Sequence, residues 1–96
     1  MQVLQVIQVF PADDYQVYVY FVDGKIKKYN VKPLVGKGVF KPLEDRKFFM
    51  ERCTVLNNTL AWDVSGRFDP YTCIDIDPLT IYKEGTDVDD PLKESA

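Results

Sequence analysis

Tyr15-Gln16-Val17-Tyr18-Val19-Tyr20-Phe21-Val22-Asp23-Gly24-Lys25-Ile26-Lys27-Lys28-Tyr29-Asn30-Val31 decides how this chain folds. Valine and aromatic side chains fit a pleated surface, so Tyr15 to Val22 and Lys25 to Val31 are predicted as strands. Asp23-Gly24 between them is a two-residue hairpin signal, because a type I′ turn needs positive φ at both central positions. Such a turn pairs Val22 with Lys25, Phe21 with Ile26, Tyr20 with Lys27 and Tyr18 with Tyr29. One face then carries Val17, Val19, Phe21 and Ile26 and is assigned to the core. The other carries Tyr18, Tyr20, Lys27 and Tyr29. These four form the candidate interaction surface, since tyrosine covers apolar area while keeping its hydroxyl wet.

Upstream, residues 2–10 read as a strand that ends in the turn chemistry of Pro11-Ala12-Asp13-Asp14. Downstream, Pro33, Gly36, Gly38 and Pro42 forbid a long helix, so one helical turn at Pro33 to Val35 and then loop are expected. Asp45 is placed as the N-cap of a short helix from Arg46 to Arg52, with Phe48 and Phe49 turned inward. A second hairpin is predicted from Cys53 to Asp63, turning on Asn57-Asn58, because asparagine tolerates positive φ. Its register pairs Cys53 with Trp62 and puts Cys53, Val55, Leu60 and Trp62 on a core face.

Beyond a loop at Ser65-Gly66 and a short extended piece from Cys73 to Ile76, Asp77-Pro78 reads as N-cap and first helical position. That helix is expected to reach Lys83 and stop at Gly85. The fold class is therefore α+β: two hairpins and an N-terminal strand in a small antiparallel sheet, with two short helices. One domain is assigned to residues 1–85. Residues 86–96, acidic and poor in apolar side chains, are expected to be a disordered tail.

With 96 residues, one core is the expectation. No apolar run approaches the ~20 residues of a membrane span, and Met1 leads into Gln2-Val3-Leu4-Gln5 without a basic, signal-like segment. Two cysteines, Cys53 and Cys73, are too few for a disulfide framework, so a cytoplasmic setting with free thiols is expected. Net charge is −3, but the charge is bipolar: residues 25–47 hold eight basic side chains against two acidic, and 63–94 hold nine acidic against three basic. Either the halves neutralise one another on the surface or the basic segment docks an acidic partner.

The chain has no histidine, which removes histidine triads and histidine metal ligation. Gly36-Lys37-Gly38 is too short for a phosphate loop. Asp63, Asp69, Asp75 and Asp77 cluster in sequence but lack the alternation and closing glutamate of a calcium loop. Asp75 and Asp77, two apart, would share one side of a strand, yet no nucleophile reads beside them. No cofactor, metal or catalytic residue is expected, and the chain is read as non-catalytic. The tyrosine–lysine face also raises nucleic-acid binding, against which stand the negative net charge and the lack of a known binding motif. A second copy covering that face is a further arrangement.

The layout resembles the bacterial family named domain of unknown function 2442. The resemblance is carried by Phe21-Val22-Asp23-Gly24, Val31-Lys32-Pro33-Leu34, Gly38-Val39-Phe40-Lys41-Pro42-Leu43, Phe48-Phe49, Leu60-Ala61-Trp62, and Ile74-Asp75-Ile76-Asp77-Pro78 followed by Tyr82. The stretch Val64 to Cys73 is longer than in many members. The resemblance implies no catalytic residue. It implies a protein partner, a small protein encoded by the neighbouring gene, in an arrangement like a toxin–antitoxin pair with this chain as the antitoxin-like component.

Overall fold

The computed structural model describes residues 4–92. Its strands are β1 (Val6–Ala12), β2 (Gln16–Phe21), β3 (Ile26–Asn30), β4 (Cys53–Leu56), β5 (Thr59–Trp62), β6 (Ile74–Asp75) and β7 (Thr86–Asp87). The α-helices are α1 (Arg46–Glu51) and α2 (Pro78–Glu84), and 3-10 turns occupy Lys32–Leu34 and Gly38–Glu44. The α+β class holds, with the two hairpins divided between antiparallel sheets ordered β1-β2-β3-β7 and β4-β5-β6. The Val6 N–H donates to the Asn58 carbonyl at 2.9 Å and ties one sheet to the other. Pro11 lies inside β1 rather than ending it. An edge strand tolerates proline because its outward side needs no donor.

The second hairpin has the expected register. Asn57 and Asn58 take φ of 54° and 61°, the two left-handed residues of a type I′ turn, and Cys53 pairs with Trp62. Leu60 and Trp62 are fully buried, and Cys53 and Val55 pack against the core beside them. The indole N–H of Trp62 donates to the Phe49 carbonyl at 3.1 Å, fastening α1 onto β5. Asp45 caps α1 by accepting from the N–H groups of Lys47 and Phe48. Asp77 caps α2 by accepting from the Leu79 N–H, with Pro78 in the first turn.

The first hairpin corrects the register expected for it. Tyr20 pairs with Ile26, Val19 with Lys27, Tyr18 with Lys28 and Val17 with Tyr29, one residue out of step with a two-residue turn. Gly24 is left-handed at φ 94° whereas Asp23 is not. The Gly24 N–H donates to Phe21 O at 3.0 Å and the Phe21 N–H to Lys25 O at 2.9 Å. That is a three-residue loop, Val22-Asp23-Gly24, with the glycine as its bulge. A slip of one residue turns every β3 side chain to the other face. Lys27 and Tyr29 therefore join Val17 and Val19 on the inner face, and Ile26 and Lys28 join Tyr18 and Tyr20 on the opposite face.

The domain does not end at residue 85. Thr86–Asp87 adds to β3, pairing Lys27 with Asp87 and Lys28 with Thr86, and the Val88 N–H donates to Ile26 O at 3.1 Å. The acidic composition that argued for disorder is what fits the segment to a lysine-bearing strand. Residues 93–96 of the expected tail, like residues 2–3 of the expected first strand, lie outside the described residues.

Candidate interaction surface

The corrected register splits the four candidate residues between the two faces of one sheet. Tyr29 is buried, and its hydroxyl pKa is raised by that burial and by the nearby Glu84 charge. Lys27 is only 8% exposed. Its Nζ lies 2.5 Å from an Asp87 carboxylate oxygen and 4.9 Å from the centroid of the Tyr82 ring, so the charge is buried with a partner and a π face. Neither residue contributes to an outward face.

Tyr18 and Tyr20 do share the outer face, Tyr18 half-buried and Tyr20 buried there, among residues the sequence reading did not single out. Antiparallel partners share a face, so Phe10 stands beside Tyr18, Gln8 beside Tyr20, and Ile26 and Lys28 complete the patch. The Phe10 and Tyr18 rings stack at 6.1 Å between centroids, and the Lys28 Nζ sits 5.5 Å above the Tyr18 ring. Phe10 is 40% exposed. The Tyr20 hydroxyl donates to Asp90 Oδ1 at 2.6 Å. Burial first, then the Asp90 hydrogen bond and charge, push the Tyr20 pKa up to about 12. The period-two alternation through Gln8-Val9-Phe10 was the available signal for Phe10, and it locates a face only once the register is known.

The acidic loop after β5 is organised by Asp63. This carboxylate is almost fully buried and accepts from the Ser65 hydroxyl at 2.9 Å, the Gly66 N–H at 3.2 Å and the Phe68 N–H at 3.1 Å. Burial alone would raise its pKa, but these hydrogen bonds and the Arg52 charge outweigh it and hold the carboxyl below its ordinary 3.8. The stabilisation is therefore fully present above pH 3.8 and is lost as pH falls through the lower folded value. Asp63→Asn is expected to be less stable than wild type at neutral pH, with the gap closing in acid. Urea melts at neutral pH and below 3.8 check this; a gap that stays constant would show that the charge is not what holds the loop.

The remaining chemistry-bearing groups are placed apart. Asp75 accepts from the Asn57 amide at 3.3 Å, whereas Asp77 serves as the cap of α2, so the two do not share a site. Burial pushes the Cys53 thiol up to about 12, and burial followed by the Asp75 charge raises Cys73. Both are poor thiolates. A cavity of about 370 Å³ opens beside Glu51, Arg52, Cys53 and Phe68, and Asp63, one of the two carboxylates that line it, is already engaged by the loop. Among the described residues no helix is long and apolar enough to cross a membrane.

A family model described as Protein of unknown function (DUF2442) matches residues 6–87. The chain belongs to this family. The match in this DUF2442 chain begins at the first residue of β1 and ends at the last residue of β7, the strand that closes the larger sheet. No curated protein and no solved structure matches the chain.

Proposed function

We propose that this DUF2442 chain is a non-catalytic protein-interaction module that binds its partner through the outer face of the four-stranded sheet. The observation that carries the reading is the Phe10–Tyr18 stack, Phe10 exposed and Tyr18 half-buried, on a face that neither α-helix covers. Ring contacts set α2 against Phe21 and Lys27, and α1, through Phe49, against Tyr15 and Trp62. Aromatic side chains with one wet end are favoured anchors in protein interfaces. The commitment of Asp45, Asp63 and Asp77 to caps and turns supports a non-catalytic role. The specific form proposed is the antitoxin-like component of a two-protein pair, its partner encoded by the neighbouring gene.

A second reading, single-stranded nucleic acid stacking on the same rings, is favoured by the Lys28 ammonium beside Tyr18 and opposed by the Asp90 carboxylate at the same face. Co-expression with the neighbouring gene product tests the first. Wild type is expected to co-purify with it and to hold it through a high-salt wash. A Phe10→Ser/Tyr18→Ser variant with unchanged circular dichroism is expected to lose at least about tenfold in affinity, as truncation of interface anchors does. Retained affinity in the variant sinks this face as the binding surface. Nucleic-acid binding that weakens steeply with salt would favour the second reading.

A further inference from the structure

Among the described residues, Thr86 and Asp87 pair with the edge of β3 and Val88 adds one hydrogen bond to Ile26 O, although β3 itself offers five residues from Ile26 to Asn30. What holds the C-terminal segment there is polar and charge-specific. Asp87 touches Lys27 at 2.5 Å and Lys25 at 4.0 Å, and Asp90 accepts from the Tyr20 hydroxyl at 2.6 Å. The segment carries Asp87, Asp89 and Asp90, and the strand it lies on carries Lys27 and Lys28, with Lys25 just before it. The Asp87 side chain is 62% exposed while that of Lys27 is 10% exposed. The lysine is thus the fixed half of the pair, and the carboxylate is the half that can leave.

Removing the segment would leave Lys27 facing the Tyr82 ring with its carboxylate gone, and an almost buried ammonium without a counter-charge is costly. The site therefore demands an acid at that position from whatever fills it. Its backbone demand is equally plain, since an open strand edge is completed by another extended chain.

We propose that the β3 edge is an exchangeable strand site: an extended segment of a partner protein, with a carboxylate opposite Lys27, displaces Thr86–Asp87 and pairs with β3. The C-terminal segment is then a built-in competitor, and its release also frees Tyr20 on the outer face. The inference rests on the reading of the domain as a protein-binding module and adds the chemistry of what it takes.

The test uses the full chain and a fluorescein-labelled peptide, Thr86-Asp87-Val88-Asp89-Asp90-Pro91-Leu92, read by anisotropy. A tethered segment competes at an effective concentration on the order of mM, so wild type is expected to bind the peptide weakly. Asp87→Asn with Asp90→Asn loosens the tethered copy at exposed or half-buried positions, and this variant is expected to bind the peptide at least about tenfold more tightly. The same peptide with asparagine in place of Asp87 is expected not to bind. Equal affinity for wild type and variant, or equal affinity for the two peptides, overturns the proposal. Wild type that dimerises by light scattering assigns the site to a second copy's segment and overturns the partner. The peptide needs no cellular partner, so its failure and a failed co-purification are separate results.

Discussion

Trp62→Ala is expected to remove about 3–5 kcal/mol of folding stability. Trp62 is the largest fully buried side chain, in a strand whose four residues are all buried. Its ring lies 5.6 Å from that of Phe49 between centroids, and its N–H is the donor to the Phe49 carbonyl. Alanine leaves a cavity between β5 and α1 and takes the donor from a carbonyl in the interior, two costs that add. A single domain has about 5–15 kcal/mol in total, so the variant is expected to be largely unfolded well below the wild-type melting temperature. Urea titration followed by tryptophan-independent circular dichroism measures the loss. Trp62→Phe, which keeps the apolar volume but not the donor, is expected to fall between the two. A loss below about 1 kcal/mol for Trp62→Ala would mean that the two sheets do not share the core described here.

Much of this architecture was readable because its signals are local. Asn57-Asn58 and Asp77-Pro78 satisfy their backbone requirements within two or three residues, so the second hairpin and α2 follow from the residues themselves. Asp23-Gly24 is different. It fits both a two-residue turn with two left-handed residues and a three-residue turn with one, and local sequence does not separate them. The choice is supported from a distance: the Tyr82 hydroxyl donates to Asp23 Oδ2 at 2.7 Å. Because register fixes which face each side chain takes, this one ambiguity moved Lys27 and Tyr29 from the candidate surface to the interior.

The C-terminal segment was illegible for a related reason. Composition predicts order from apolar content, and Thr86 to Leu92 has little. Its partners are Lys27 and Tyr20, far upstream, and neither is marked as a receiver until β3 is in register. The proposed interaction surface keeps the kind read from the sequence, tyrosine beside lysine on a sheet. Its membership was not, since Phe10 enters only through pairing with Tyr18.

Gly85→Ala is expected to cost about 1–3 kcal/mol, the range for forcing a methyl group into packed space. The sequence placed Gly85 as the stop of α2, a position where glycine is commonly left-handed, but Gly85 has φ −72° and ψ 158°, a conformation open to any residue. The glycine is needed for room. A Cβ there would lie 2.7 Å from the Ile81 carbonyl oxygen and 2.9 Å from the Lys27 Cβ. The first is backbone, already held by the Gly85 N–H at 2.8 Å, and the second is the root of a side chain in the middle of β3, so neither yields cheaply. The chain must lift off α2 or off β3, and either movement pulls Asp87 away from Lys27. Two explanations for the glycine then differ in outcome. Asparagine tolerates a left-handed cap and would substitute there at little cost, whereas a steric limit penalises alanine and asparagine alike. Denaturation midpoints of Gly85→Ala and Gly85→Asn, with hydrogen exchange at the Val88 amide, separate them. Both variants are expected to fall together and to lose protection at Val88; an asparagine variant as stable as wild type would return Gly85 to the role of a cap.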